Sequence, residues 1–340
     1  MERGLYTRQE IYSQPEAWQA AMQMLAEQKD ELLALSQGQQ RQVLFTGCGS
    51  TYYLALAAAA FYQDITGNCA RGLPASELWH YPQASYPNGE VLLVAISRSG
   101  ATTETLIACK TFKEQKRGKL ITLSCYAEEP LASMGDINLV FSSGAEQSIA
   151  QTRAFSTLYL GTVAFALIAA GRDDLYEELN KLPAVGQHIL DTYSDLAKEI
   201  GGDLTKDRFY WLGSGLRYGL ASELSLKMKE MSLTHSEPFH FMEFRHGPKS
   251  MITKTAQVIG LQSSSHYEHE QSVLNELKAL GGKVLPIGED QSTVIFNSGL
   301  DERIRNVLYL PFGQLVAFER SMAKGLNPDL PHNLDAVVKL

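Results

Sequence analysis

The chain has 340 residues, 44% of them apolar and 20% charged. That is ordinary globular composition, with material for a sizeable core, at a length that suits two domains or one large one. A formal charge of −8 argues against nucleic acid or an anionic membrane surface as partner. Any anion site must then be local, built from backbone N–H groups and hydroxyls. The four cysteines, Cys48, Cys69, Cys109 and Cys125, contain no CxxC pair, so neither a disulfide framework nor a zinc site is expected and reduced thiols fit better.

Taken in chain order, residues 1–20 are polar and charged, unlike a signal peptide, and an amphipathic helix is expected over 14–36. A strand follows at Val43–Thr46, then the turn Gly47-Cys-Gly-Ser-Thr51 and an apolar helix Tyr52–Tyr62. Val91–Ile96 reads as a second strand, running into Ser97-Arg-Ser-Gly-Ala-Thr102 and another helix, and Lys119–Leu123 as a third. Continuous apolar strands alternating with helices indicate βαβ units and a parallel sheet covered on both faces. Phe155–Ala170 is shorter than a membrane span and contains Ser156, Thr157, Gly161 and Thr162, so it reads as a buried helix. A soluble cytoplasmic protein is expected.

The second half repeats the order. Phe209–Leu212 leads into Gly213-Ser-Gly, and Gln257–Leu261 into Gln262-Ser-Ser-Ser265; Gly47 and Gly213 lie 166 positions apart, as do Ser97 and Ser263. Two landmarks with one offset point to a tandem duplication, with the boundary near Gly171–Asp191.

In both halves a Gly/Ser-rich turn closes a buried strand and opens a helix, where unpaired N–H groups face the carboxyl end of the sheet. Ser97, Ser99 and Thr102, with Ser50 and Thr51 on the neighbouring turn, are candidates to hold a phosphate; the plainer reading makes them helix caps. No Walker lysine and no third Rossmann glycine is present, which argues against a nucleotide. Further on, Glu223, Lys227 and Glu230 share one helix face at i, i+4, i+7. Such a row can move a proton between C1 and C2 of a sugar beside a stabilising cation, or can simply be a solvated ion pair. The segment His235–Pro248, rich in His, Glu and aromatics, looks more like a site than a core. Metal is its rival reading, but there is no HExxH and His266-x-x-His269 lacks a clear third ligand.

Ordered along the chain, Gly47-Cys-Gly-Ser-Thr51, Ile96-Ser-Arg-Ser-Gly100, Ser148-Ile-Ala-Gln-Thr-Arg-Ala-Phe155, Glu223-x-x-x-Lys-x-Lys-Glu230 and Glu243-Phe-Arg-His-Gly-Pro248 resemble the double sugar-isomerase (SIS) domain proteins. These include the isomerase part of glucosamine-6-phosphate synthase and the tagatose-6-phosphate ketose/aldose isomerase group. The resemblance implies an α/β fold of two flavodoxin-like three-layer halves with parallel sheets: an N-terminal helical segment at 1–36, SIS domains at 37–175 and 190–330, and a tail at 331–340 near the active site. It implies a sugar phosphate held by Ser50, Thr51, Ser97, Arg98, Ser99 and Thr102, where Arg98 replaces the usual glutamine and adds a charge near the phosphate or substrate. Glu230 matches the proton-transferring glutamate, with Glu223 and Lys227 its helix partners and Glu243 the next candidate base. His246 matches a ring-opening histidine that reaches in from the partner subunit, so a homodimer with shared sites is implied. Lys339 stands near the place of the family's imine-forming lysine. The chain opens Met1-Glu-Arg without the synthase's N-terminal cysteine, so glutamine-dependent synthesis is not expected. Neither a metal nor a cofactor is expected. The implied function is isomerisation or deamination of an aldose–ketose or amino-sugar phosphate, with a deglycase or a non-catalytic phosphosugar sensor as alternatives.

Overall fold

The computed structural model describes residues 2–36 and 42–338, so Lys339 lies outside the described residues. The chain forms two compact units. One takes the described residues of Glu16–Glu146, Arg153–Asn180 and Asp335–Leu340; the other takes those of Met1–Pro15, Gln147–Thr152 and Lys181–Leu334.

The first unit holds β1 (Gln42–Gly47), β2 (Ala70–Pro74), β3 (Val91–Ile96), β4 (Gly118–Ser124) and β5 (Ile137–Val140). All neighbours are parallel, in the order β2-β1-β3-β4-β5. This is the flavodoxin-like order, which opens a ligand crevice where the winding reverses, between β1 and β3. Every residue of β3 is buried, as its unbroken apolar run requires of a central parallel strand. The helix Arg153–Ala169 buries each residue from Ala154 to Ile168, so its apolarity on all sides is that of a core helix. The Trp18 indole, also buried, donates to Ser156 Oγ at 2.8 Å.

The second unit holds β6 (Arg208–Leu212), β7 (His235–Phe239), β8 (Ala256–Leu261), β9 (Lys283–Gly288) and β10 (Val294–Ile295). They too are parallel, in the order β7-β6-β8-β9-β10, which repeats the first sheet strand for strand. The single offset expected from the sequence does not hold throughout. Ser97 N–H bonds Leu123 O on β4 at 3.0 Å, and the corresponding bond in the second sheet runs from Gln262 N–H to Ile287 O on β9 at 2.8 Å. The counterpart of Ser97 is therefore Gln262, because the path from β6 to the end of β8 is one residue shorter.

The stretch near Gly171–Asp191 carries the helices Asp173–Glu178 and Leu182–Gly202, and the change of unit at Asn180–Lys181 falls inside it. One more expectation is corrected. Within His235–Pro248, Phe241 and Phe244 are fully buried against Tyr210, Leu212 and Val258; these aromatics belong to the core and form no exposed patch. Helix Leu5–Tyr12 belongs to the second unit, where Thr7 N–H and Oγ1 both donate to Asp329 Oδ1, at 2.8 and 2.7 Å. No helix among the described residues is long and apolar enough to cross a membrane.

Candidate active site

In the first unit the loops after β1 and β3 flank the crevice. At Gly47 a Cβ would stand 2.4 Å from Thr51 Oγ1 and 2.7 Å from the Thr51 main chain, so only glycine lets the helix Ser50–Thr66 start this close to the strand. The Thr51 hydroxyl is engaged locally, accepting from Cys48 N–H at 2.9 Å and donating to Cys48 O at 3.0 Å. Ser50 and Thr51 are both buried.

After β3 three hydroxyls converge. Ser97 Oγ lies 3.2 Å from Thr102 Oγ1 and 3.4 Å from Ser99 Oγ, and Ser99 Oγ lies 3.4 Å from Thr102 Oγ1. Thr102 occupies the N-cap position of helix Thr103–Glu114 but makes no side-chain capping bond. The cap reading therefore fails for Thr102, whose hydroxyl belongs to the cluster. Gly100 takes φ +67°, a conformation glycine adopts freely, and turns the chain back so that the three hydroxyls face one another. Such a neutral donor cluster suits an anion without demanding a basic surface.

Arg98 is nearly fully buried. Its Nη1 donates to Glu146 Oε2 at 3.3 Å and its Nη2 to Ala336 O at 3.3 Å. Glu146 Oε1 in turn accepts from Ala154 N–H at 3.1 Å, and Thr103 N–H reaches Val338 O at 3.4 Å. The charge of Arg98 is thus balanced inside the unit, and the guanidinium fastens the C-terminal segment to the hydroxyl loop.

In the second unit the helix Arg217–Ser232 carries Glu223, Lys227 and Glu230. Glu223 and Lys227 are fully buried, 3.4 Å apart, and Lys227 Nζ also donates to Glu230 Oε2. This overturns the solvated-pair reading: lysine is almost never fully buried unless paired. Glu230 alone of the three keeps access to solvent, with 19% of its side chain exposed. The row is a carboxylate with one open face, held beside a cation that a second carboxylate fixes from below. That pairing of base and cation is what proton abstraction next to a carbonyl needs.

Glu243 and His246 stand on the exposed surface of the same unit, on the short helix Phe241–Phe244 and the turn after it, where His246 N–H donates to Glu243 O at 2.9 Å. His240 stacks on Tyr218 with ring centroids 4.1 Å apart. The sequence reading missed two buried carboxylates, Glu146 and Glu10. Glu10 accepts from the N–H groups of Gln147 at 2.6 Å and Ser148 at 3.2 Å, and so anchors the start of the Ser148–Phe155 motif. A lone arginine within a hydroxyl loop was the available signal for Glu146, since a buried guanidinium requires a counter-charge.

Two parallel sheets of flavodoxin-like order, with polar loops at the carboxyl ends of their central strands, define a tandem α/β fold of the phosphosugar-isomerase type. The SIS domain family matches residues 38–169 and 204–303, and the chain belongs to that family. It is 28% identical over 300 residues to the glutamine–fructose-6-phosphate aminotransferase (isomerizing) of Sulfurisphaera tokodaii, covering 87% of this chain and 50% of the relative. The enzyme of that name from Pseudomonas putida is 27% identical over 98% of this chain and 59% of its own length. The chain thus spans little more than half of these relatives. Among solved structures it is similar to glucosamine-6-phosphate deaminase of Thermotoga maritima, with a TM-score of 0.78 and 27% identity over 94% of this chain and 100% of that one. Tagatose-6-phosphate ketose/aldose isomerase of Escherichia coli shares the fold, with a TM-score of 0.86 and 22% identity over 96% and 95%.

Proposed function

We propose that the protein is a phosphosugar isomerase or deaminase that moves a proton between C1 and C2 of an aldose–ketose or amino-sugar phosphate. The observation that carries this reading is the buried Glu223–Lys227–Glu230 row with its single exposed carboxylate. Glu230 takes the proton from the carbon next to the carbonyl, and Lys227 steadies the anion that builds up on the sugar oxygens. Glu223 fixes the ammonium by burial and charge. The hydroxyl cluster Ser97, Ser99 and Thr102 donates to the phosphate, with the Ser50–Thr51 helix start beside it. The similarity to a glucosamine-6-phosphate deaminase supports an amino sugar as substrate and release of ammonia. A pure sensor needs the hydroxyl loop but has no use for a base and cation buried together, so the enzyme reading is preferred.

The protein acts in the cytoplasm as a homodimer, in which the exposed His246 serves sugar-ring opening at the partner's site. The reading is tested with a panel of hexose, hexosamine and sugar–amine phosphates, followed for both ketose formation and ammonia release. One or more of them should turn over, and Glu230→Gln, which keeps size but cannot accept a proton, should lower kcat by about 10²–10⁴-fold. Turnover within a few-fold of wild type would remove Glu230 from the chemistry and leave Glu243 as the next base to test.

A further inference from the structure

The strand order of the second sheet makes a second crevice, between β6 and β8, flanked by the loops Gly213–Arg217 and Gln262–His266. The backbone there copies the first: a Cβ on Gly213 would meet Arg217 O at 2.5 Å, as one on Gly47 would meet Thr51. The chemistry differs, because Arg217 stands where the first loop has Thr51.

Carboxylates of the chain occupy the donors of this crevice. Ser263 N–H donates to Glu270 Oε2 at 2.6 Å. Ser265 N–H and Oγ donate to Glu302 Oε2 and Oε1 at 2.9 and 3.3 Å. Arg217 Nη1 donates to the same Glu302 Oε1 at 3.0 Å, and its Nη2 lies 3.7 Å from Glu270 Oε1. Arg305 donates to Ser264 Oγ at 2.5 Å and lies 3.5 Å from Glu289 Oε2. Arg217, Arg305 and Glu270 are each more than nine-tenths buried, and Arg217 Nε is buried with no hydrogen-bond partner among the described residues.

Two buried guanidinium groups and a backbone N–H at the carboxyl end of a parallel sheet are the donor set of an oxyanion site. We propose that the β6/β8 crevice is a latent oxyanion-binding site closed by the carboxylate of Glu302, which stands where a sulfate- or phosphate-like group would sit. Glu302 rather than Glu270 is the plug. Its side chain is 22% exposed against 4% for Glu270, so it lies at the mouth, and its two oxygens take the Arg217 donor and both Ser265 donors. As built, two arginines face the three carboxylates Glu270, Glu289 and Glu302. Removing Glu302 brings the cluster to neutrality and frees donors that an entering anion then satisfies.

The test is chemical rescue of Glu302→Ala in the full-length chain, read as thermal stability. Low-millimolar sodium sulfate, and separately sodium formate, are compared with sodium chloride at matched ionic strength. Glu302→Ala should melt below wild type, and sulfate at about ten times its dissociation constant should raise its Tm by roughly 3–6 °C more than wild type's. Glu302→Gln, whose amide still fills the space, should respond less. In Glu302→Ala/Arg217→Met the extra response should vanish, since the principal donor is gone. If Glu302→Ala aggregates, Glu302→Ser leaves the same opening with a small polar residue and carries the same comparison. A Glu302→Ala or Glu302→Ser response no greater than wild type's, or one that persists without Arg217, overturns the proposal. Because the readout is the excess of variant over wild type, it holds whether or not the first unit binds a phosphosugar.

Discussion

Ser99 shows how much depends on one hydroxyl. Its Oγ lies 3.4 Å from both Ser97 Oγ and Thr102 Oγ1 and accepts from Ala101 N–H at 3.2 Å, so Ser99→Ala removes one corner of the cluster and little packing. If the cluster holds phosphate, each lost hydrogen bond to a charged acceptor costs about 1.5–3 kcal/mol, or roughly 10- to 150-fold in affinity. A sugar phosphate should weaken by that factor and the unphosphorylated sugar hardly at all; equal losses in a calorimetric titration would assign the hydroxyls to loop structure. Lys227 sits at the opposite extreme of burial. Lys227→Met removes the cation beside the fully buried Glu223, and chemical denaturation should show a loss of about 3–5 kcal/mol. A loss below about 1 kcal/mol would mean that Glu223 does not need its cation in the folded chain. These residues were only partly legible in the sequence. The i, i+4, i+7 spacing fixes a shared helix face but is silent on what covers that face. The motif resemblance, not the spacing, favoured the buried arrangement that the structure has.

At the scale of elements, the strands that the sequence revealed are the central ones. β1, β3, β4, β6 and β8 are buried on both faces and therefore read as continuous apolar runs. The edge strand β2 (Ala-Arg-Gly-Leu-Pro) and the edge strand β7 (His-Ser-Glu-Pro-Phe) each pair on one side only. They tolerate proline and charge, so β7 was read as part of a site. Helix Arg153–Ala169 supplies a test of close packing. A Cβ on Gly161 would stand 2.4 Å from the tip of the Phe141 ring. Alanine gains about 1 kcal/mol of helix propensity, but overpacking a rigid ring costs about 1–3 kcal/mol. Gly161→Ala should therefore destabilise, and adding Phe141→Leu should recover part of the loss in a double-mutant cycle. The stacked pair His240–Tyr218 gives a pH effect. His240 is exposed at the surface, but partial desolvation against Tyr218 pushes its imidazole below the ordinary 6.5, against the opposing pull of Glu243. The unfolded chain then binds the proton more readily, so this contribution is complete above pH 6.5 and is lost as pH falls toward the folded value. His240→Phe keeps the stack and should flatten the acid limb of a plot of Tm against pH; an unchanged limb would assign the pH dependence to other groups.

For the whole molecule, the proposed dimer has a direct test. Phe241 and Phe244 are core residues, so the support for it on this segment is the exposure of His246. Glu230→Gln and His246→Ala chains, each inactive alone, should regain activity when mixed under subunit exchange, because half the sites of a mixed dimer hold both native groups. Folded, exchanging chains that stay dead together would confine His246 to its own chain. The order of synthesis is governed by a different feature. The unit that contains β6–β10 also claims Leu5–Tyr12, whose Thr7 is tied to Asp329 across 322 positions. At about 5–20 residues per second, that first helix waits roughly 15–65 s on the ribosome before its partner has been made. The unit that starts first is completed last, and until Asp329 has been made the buried Thr7 lacks the carboxylate that takes its N–H and hydroxyl.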